Sequence, residues 1–150
     1  MQEEPQFGVR EPLRWYRRRP CAFGLADRDG RLAVVRITRK GKRPRLDLPG
    51  GALDGGESGE RAMEREFGEE TGLSVRAGPL VARARQFVVK RNAQRVNNLA
   101  AFFAADVLAE DRTLKVEDDH ELIWLDPLQA LTDLRHPSHA WAVACWLRSR

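Results

Sequence analysis

Residues 51–73 read GALDGGESGERAMEREFGEETGL, and the second half of this stretch has the pattern of a helix with two marked ends. Ser58 is a residue type that caps helix N-termini, because its hydroxyl accepts a hydrogen bond from a free backbone N–H. Gly72 is a natural stop, because glycine adopts the left-handed backbone that ends many helices. Met63 and Phe67, four positions apart, form an apolar stripe on one side of the helix. The spacing therefore predicts a helix between Ser58 and Gly72 that packs on a core.

Three carboxylates share one face of this predicted helix. Glu66, Glu69 and Glu70 stand at positions i, i+3 and i+4, where side chains are neighbours and like charges repel. A hard divalent cation removes this repulsion, and Mg²⁺ and Mn²⁺ both prefer carboxylate oxygens. The alternative is a solvated acidic face that pairs with Arg61 and Arg65. The residues alone leave both interpretations open.

The complete stretch matches a known motif, the Nudix box Gly-x5-Glu-x7-Arg-Glu-U-x-Glu-Glu-x-Gly-U, in which U is a bulky apolar residue. Phe67 occupies a U position that is more often aliphatic, and the preceding run from Leu48 to Gly51 reads Leu-Pro-Gly-Gly, as in many members. Leu46 stands where those members often have a tryptophan. All fixed residues are present, namely Gly51, Glu57, Arg65, Glu66, Glu69, Glu70 and Gly72. The sequence therefore resembles the Nudix hydrolases.

The resemblance implies a metal centre that holds Mg²⁺ or Mn²⁺. Its metal ligands would be the carboxylates of the helix and the Gly51 carbonyl, and Glu57 is either a further ligand or the partner of Arg65. We expect Arg65 to orient the carboxylates, and we include it in the catalytic group for that reason. The expected metal set is Gly51, Glu57, Glu66, Glu69 and Glu70, and the expected catalytic set is Glu66, Glu69, Arg65 and Glu121.

The general base has two candidate locations. Either Glu69 or Glu66 acts through metal-bound water, or an acidic residue from the loop before the last strand takes the proton. The run from His120 to Trp124 is similar to a His-Glu-x-x-Trp run of many Nudix proteins, which is why Glu121 enters the catalytic set. The other loop candidates are Glu117, Asp118, Asp119 and His120. An acidic surface loop without a catalytic role would have the same composition.

The charge distribution suggests a phosphate-rich ligand. The chain has 26 lysines and arginines against 22 aspartates and glutamates, a net charge of +4, although its centre is acidic. Either this basic charge is only solvated surface, or part of it attracts a polyphosphate substrate. We predict phosphate-binding residues in two loops, Arg39, Arg43, Lys90, Arg91 and Arg95. RNA is a possible partner, although no nucleic-acid-binding motif accompanies the charge. The sequence gives His136 and His139 no partner pattern, and we expect them at the surface or as caps.

Hydrophobic patterning outside residues 51–73 predicts an α/β fold with a mixed β-sheet and helices on both faces. The resemblance implies that this fold is the Nudix-type α/β/α sandwich. Residues 1–13 read as a tail or edge segment that Trp15 and Tyr16 anchor. The last helix is expected to bury Trp141, Ala144 and Cys145. The predicted strands are 21–26, 31–37, 80–89, 96–107 and 121–125, and the predicted later helices begin at Pro127 and at Pro137.

Length and composition indicate one globular domain over residues 1–150. The start of the chain lacks the apolar region of a signal peptide, and no run is long enough to cross a membrane. Cys21 and Cys145 do not form a disulfide framework, and we expect buried free thiols. These features are typical of a cytoplasmic protein without a membrane partner. Many Nudix relatives are dimers, so a homodimer is a further expectation.

The resemblance implies hydrolysis of the pyrophosphate bond in a nucleoside diphosphate linked to another group. Residues 87–89 lack the proline common in ADP-ribose hydrolases, and residues 90–92 lack the tyrosine of diadenosine polyphosphate hydrolases. A nucleoside tri- or diphosphate, or a derivative, is therefore the expected substrate. The alternatives are an RNA 5′-end pyrophosphohydrolase and a Nudix module that senses a nucleotide without cutting it.

Overall fold

The computed structural model describes residues 4–150. Residues 1–3 of the predicted N-terminal segment lie outside the described residues. The strands are β1 (Gln6–Phe7), β2 (Arg17–Leu25), β3 (Asp27–Arg28), β4 (Arg31–Ile37), β5 (Arg45–Asp47), β6 (Gly50–Ala52), β7 (Leu73–Val89), β8 (Arg95–Glu110) and β9 (His120–Leu125). The helices are α1 (Gly59–Thr71), α2 (Pro127–Asp133) and α3 (Pro137–Arg148), with a 3₁₀ turn at Arg112–Leu114.

The strands form two sheets. The larger has the order β1-β7-β8-β2-β6, with β1 parallel to β7 and β2 parallel to β8, while its other pairs are antiparallel. In the smaller sheet, β4 pairs with β3, β5 and β9, always antiparallel. The prediction of an α/β fold with a mixed sheet is confirmed.

Alternating side chains of β2 show why helices cover both faces of the larger sheet. Cys21, Phe23 and Leu25 belong to the core that α2 and α3 cover. Ala22 belongs to the second core, which contains Met63 and Phe67 of α1. Because successive residues of a strand point to opposite faces, one continuous apolar run supplies both cores. The result is a helix–sheet–helix sandwich.

The hairpin of β7 and β8 is longer than predicted. The structure joins residues 73–76 and 80–89 into one strand, with register irregularities between Ala77 and Ala82. Pro79 lacks a backbone N–H, so the sheet accommodates it at such an irregularity rather than by ending the strand. The turn at its tip holds Ala93 at a positive φ of 66°.

Two expectations about buried aromatic residues were wrong in part. In α3 the buried apolar residues are Ala142, Val143 and Trp146, while Trp141, Ala144 and Cys145 are only partly buried. The helix is apolar over more than one side, so spacing alone did not determine which side meets the sheet. Near the N-terminus Tyr16 packs on Phe87 with 4.9 Å between ring centroids, whereas Trp15 is 77% exposed. Trp15 does not anchor the segment.

The N-terminal segment contributes an edge strand. Gln6 and Phe7 pair with Arg85 and Gln86 of β7, and the ring of Phe7 lies 6.1 Å from that of Trp141. Both cysteines are free thiols, with Cys21 buried and Cys145 partly exposed. None of the described helices has the length and hydropathy that a membrane crossing requires.

Candidate active site

Helix α1 has the two ends that the sequence predicts. The Ser58 hydroxyl accepts a hydrogen bond from the Arg61 backbone N–H at 3.1 Å. At the other end, Gly72 has a φ of 75°, and its N–H donates to the Gly68 carbonyl at 2.8 Å. Met63 and Phe67 are fully buried beneath the helix. This anchoring turns the opposite, carboxylate-bearing side towards β6, the strand that carries Gly50 and Gly51.

Glu70 is the most deeply buried of the helix carboxylates. Its Oε1 accepts a hydrogen bond from the Gly50 backbone N–H at 2.9 Å, and its Oε2 lies 3.5 Å from Nε2 of His120. Burial raises the pKa of Glu70 well above its usual value, and the nearby Glu66 adds to the effect. A carboxyl in this position gains strongly from a cation that compensates its charge.

Glu66 lies directly against Gly51. A Cβ atom on Gly51 would stand 2.9 Å from Cδ of Glu66 and 3.1 Å from each of its carboxylate oxygens. Only glycine leaves this space open, so the backbone of residue 51 and the carboxylate can approach one ligand together. Burial also raises the pKa of Glu66.

Gly50 is equally constrained. A Cβ there would lie 2.2 Å from the Ala22 carbonyl oxygen, and its φ is 152°. The two glycines therefore allow the strand to pass close to β2 on one side and to α1 on the other.

One guanidinium group organises the remaining carboxylates. Arg65 donates two hydrogen bonds to Glu57, from Nε at 3.0 Å and from Nη2 at 2.7 Å. Its Nη1 donates to Glu66 at 3.0 Å and to Glu69 at 3.3 Å. The hydrogen bonds from Arg65 lower the pKa of Glu57 to about 2. Of the two roles open for Glu57, the structure shows the pairing with Arg65.

The loop before β9 joins this site. The backbone N–H groups of Val116 and Glu117 both donate to the Glu69 carbonyl, at 2.9 and 3.1 Å. This attachment brings Glu117, Asp119 and His120 together, with one ligand atom from each lying within 4.8 Å of the others. Nδ1 of His120 is 2.7 Å from Oδ1 of Asp119. The sequence supplied these residues as candidates, and the structure shows that they form one cluster beside Glu70.

Glu121 lies outside that cluster, contrary to its place in the expected catalytic set. His120, Leu122 and Trp124 are on the α1 side of β9, so Glu121 points to the opposite side. Its carboxylate is 66% exposed and lies 3.6 Å from a guanidinium nitrogen of Arg36. The similarity of the local sequence could not show which of the adjacent residues His120 and Glu121 faces α1.

A basic cavity of about 240 Å³ lies at the end of the smaller sheet and the β7–β8 hairpin. It includes three of the predicted phosphate-binding residues, Arg39, Lys90 and Arg91. Arg95 does not line it and instead pairs with Glu11 at 3.0 Å, and Arg43 is an exposed loop residue. For these two residues phosphate binding stays a prediction that the cavity does not support.

Sequence reasoning missed other residues that line this cavity. They are Arg19, Arg45, Asn98, Arg135 and His136. The direction of the Arg19 side chain could be predicted from the sequence. Arg19 stands two residues before Cys21, and residues two apart on a strand point to the same face. The others meet only through tertiary packing.

His139 was also misjudged as a surface residue. It is 3% exposed, and its Nδ1 accepts a hydrogen bond from the Leu48 backbone N–H at 3.2 Å. Burial lowers its pKa to about 3, so the ring is neutral. It packs against Phe23 and Phe102 and supports the strand that leads to Gly50.

Comparison with known proteins gives the family. The NUDIX domain model matches residues 15–147, nearly the whole chain. The chain belongs to the NUDIX family. The fold is similar to that of a Nudix hydrolase from Nitrosomonas europaea, with a TM-score of 0.76, 22% identity and coverage of 89% of this chain and 90% of that one. A MutT Nudix hydrolase from Burkholderia pseudomallei is 29% identical, with a TM-score of 0.60 and coverage of 85% and 97%.

A curated relative matches over a shorter region. The RNA pyrophosphohydrolase of Sphingopyxis alaskensis is 41% identical over 69 residues, which is 45% of this chain and 43% of the relative. The match therefore spans less than half of the length of that relative.

Proposed function

We propose that this Nudix chain hydrolyses the pyrophosphate bond of a nucleoside diphosphate linked to another group, with Mg²⁺ or Mn²⁺ as cofactor. The observation that carries the proposal is the convergence of the Glu66 and Glu70 carboxylates on the Gly50–Gly51 backbone. The Arg65 guanidinium holds Glu66 and Glu69 in the same arrangement.

The donor set fits a hard divalent cation. The Gly51 carbonyl and the carboxylates of Glu66, Glu69 and Glu70 would supply only oxygen ligands, which Mg²⁺ and Mn²⁺ prefer. The raised pKa values of Glu66 and Glu70 reflect burial that a cation would compensate. Glu57 would act from outside the ligand set, through Arg65. When bound, such ions neutralise phosphate charge and make a water molecule more acidic.

The residues around this centre have distinct tasks. Arg65 fixes the rotamers of Glu66 and Glu69, and the Gly50 N–H fixes Glu70. The side chain of Glu69 is 31% exposed, against 18% for Glu66 and 9% for Glu70. Glu69 is therefore the helix carboxylate that an attacking water can reach, and we assign it the role of general base.

Asp119 and His120 are the second location for the general base. Their side chains are 2.7 Å apart, and His120 faces Glu70. An imidazole that a carboxylate orients can accept a proton from water, and the carboxylate stabilises the charged ring that forms. A loss of activity in Asp119→Asn comparable to that in Glu69→Gln would favour this loop.

For the substrate we propose a nucleoside tri- or diphosphate or a derivative, whose negative charge suits a chain with a net charge of +4. RNA with a 5′-terminal triphosphate is the second candidate, favoured by the local 41% identity to a protein named RNA pyrophosphohydrolase. Both substrates contain the pyrophosphate bond that the site would cut.

A product-release assay tests the proposal. Purified protein is incubated with Mg²⁺ or Mn²⁺ and a panel of canonical and oxidised nucleoside triphosphates, ADP-ribose, NADH, diadenosine polyphosphates and triphosphorylated RNA. We expect turnover of at least one class, its loss with a chelator, and its loss in Glu69→Gln. Tight binding of a panel member without turnover would contradict the proposed hydrolase activity and favour a protein that senses a nucleotide without cutting it.

A further inference from the structure

The basic cavity holds more positive charge than the structure compensates. Arg135 forms a bidentate pair with Asp47, at 2.6 and 3.1 Å, and Arg39 lies 3.3 Å from Asp119. Within the described part of the chain, no carboxylate forms an ion pair with the other lining cations, Arg19, Arg45, Lys90 and Arg91. Four cations therefore line one small cavity without an ion-pair partner among the residues that the structure describes.

Arg45 shows how closely these charges interact. Burial lowers the pKa of Arg45, the charges of Arg135, Arg39 and Arg91 lower it further, and the charge of Asp47 offsets part of this shift. Like charges that line one cavity repel one another, and an anion bound between them removes this cost. Arg19 is fixed in place, since its Nη1 donates to the Asn98 side-chain oxygen at 3.1 Å. The arrangement is that of a preformed anion site.

The cavity adjoins the proposed catalytic centre but is separate from it. Ile37 of β4 lines the cavity, and its pairing partner in β9 is His120. Nε2 of His120 is 3.5 Å from Oε2 of Glu70 in the proposed catalytic centre. On the other side, Ala22 lies opposite Gly51, and Arg19 precedes Ala22 by three residues on β2, with its side chain on the opposite face of that strand. Three residues of strand span about 10 Å. This separation exceeds the reach of a single pyrophosphate, whose two phosphorus atoms share one oxygen.

The lining residues indicate which part of a substrate the cavity receives. Among the described residues they include no Phe, Tyr or Trp on which a base could stack, and the ring of His136 already packs edge-on against that of His139, with 5.2 Å between ring centroids. Guanidinium groups match phosphate oxygens in geometry and charge. Val88, Val96 and Ile37 form an apolar wall that can contact a sugar.

We propose that the cavity binds a second phosphate of the substrate, carried by the ribose of the nucleotide whose 5′ pyrophosphate is cut. The proposal rests on the proposed function and narrows its substrate class to nucleotides with a ribose phosphate ester. Such an ester is either a free monophosphate or the first phosphodiester of a short RNA. Arg45 and Arg91 would contact it, with Arg19 at the side nearer to the catalytic centre.

Binding without turnover provides the first test. The probes are the 3′,5′-bisphosphates of the four ribonucleosides, compared with the corresponding 5′-monophosphates by calorimetry in a chelating buffer. At least one bisphosphate should bind at least tenfold more tightly than its monophosphate. Arg45→Gln and Arg91→Gln should each remove most of this preference. Equal affinities for all four pairs would overturn the inference.

A matched control removes the same charge elsewhere. Arg31 is exposed at the opposite end of β4 from Ile37, six residues or about 20 Å away. Arg31→Gln should keep the preference for the bisphosphate. If Arg31→Gln lost as much of the preference for the bisphosphate as Arg45→Gln, only the overall charge of the protein would matter. This result would overturn the inference that the cavity is a phosphate site. Circular dichroism of the variants checks that they fold.

Turnover separates this inference from the proposed function. The substrates are a nucleoside triphosphate, the same nucleotide with a 3′-phosphate, and a triphosphorylated dinucleotide. We expect kcat/KM at least tenfold higher for one or both phosphate esters, and a preference for the dinucleotide alone would identify an RNA end. Equal kcat/KM for all three would overturn the inference while the proposed function stands. Absence of turnover on every substrate would overturn the proposed function itself, whereas the affinity test would still report on the cavity.

Discussion

Arg65 donates two hydrogen bonds to Glu57, which lies eight residues earlier, with N···O distances of 3.0 and 2.7 Å. The pair joins the loop before α1 to the middle of the helix. Because the same guanidinium contacts Glu66 and Glu69, the orientation of the proposed metal ligands depends on a residue in another segment. Box residues separated in sequence thus act as one hydrogen-bonded unit.

Arg65→Lys and Glu57→Gln should each lower kcat by about tenfold or more, because a lysine cannot make the bidentate pair and a neutral partner weakens it. In a double-mutant cycle, urea unfolding should give a coupling energy of about 1 kcal/mol for this partly exposed pair. Strictly additive effects of the two substitutions on stability and on kcat would show that Arg65 and Glu57 do not act as one unit. Glu60→Gln, in the exposed first turn of α1, is the control for charge and should leave kcat unchanged.

Glu69→Gln should lower kcat by about 10²- to 10⁴-fold, the usual range for loss of a general base. The substitution is nearly isosteric and the side chain is partly exposed, so the fold should be retained. Steady-state kinetics and circular dichroism measure the two effects. Near-wild-type turnover would remove Glu69 from the catalytic centre.

Mg²⁺ or Mn²⁺ should raise the thermal midpoint of the wild type, since a ligand that binds only the folded state stabilises it by mass action. Glu66→Gln removes one of the converging carboxylates and should show a smaller shift at equal ion concentration. A thermal melt with and without the ion gives both values. Equal shifts in the two proteins would place the ion elsewhere.

Gly51→Ala should impair the proposed metal centre more than the fold. The new methyl group would lie 2.9 Å from Cδ of Glu66 and force that carboxylate to move. We expect a fall in kcat of at least tenfold and a weaker ion-induced rise in thermal midpoint. Gly56→Ala is the matched control, because no atom lies within 4 Å of its added Cβ, and it should retain activity. Equal behaviour of the two variants would contradict a requirement for space at residue 51.

His139 should make the protein less stable in mild acid. Burial lowers its pKa from 6.5 to about 3, so below pH 6.5 the unfolded chain takes up a proton that the folded chain does not. Stability is therefore fully present above pH 6.5 and is lost as the pH falls towards 3. One such proton corresponds to about 1.4 kcal/mol per pH unit in the free energy of unfolding.

Urea unfolding at pH 6.5, 5.5 and 4.5 checks this expectation. His139→Gln keeps a hydrogen-bond acceptor near Leu48 but cannot titrate, so its stability should fall less steeply. His136, whose pKa burial lowers to about 4, is present in both proteins and cancels in the comparison. An equal dependence of stability on pH in the two proteins would show that His139 is not the residue that takes up the proton on unfolding.

Local patterns were sufficient for α1, its caps and the strands around it. Ser58, Gly72 and the Met63–Phe67 stripe act within one or two turns, so their effects are visible in the sequence. The extent of the β7–β8 hairpin was less predictable, because the sheet accommodates Pro79 through pairing that a single strand cannot show. The buried side of α3 was predicted only in part for a related reason, since several of its sides are apolar.

The sequence by itself determined the family, the mixed α/β fold and the set of box residues, because the box places its carboxylates on one helix through fixed spacing. Only the tertiary structure decided which distant residues join them. It placed Asp119 and His120 beside Glu70, turned Glu121 away, and gathered Arg19, Arg45 and Arg91 around one cavity. These placements depend on strand register and on the packing of separate loops, where a shift of one residue reverses the direction of a side chain.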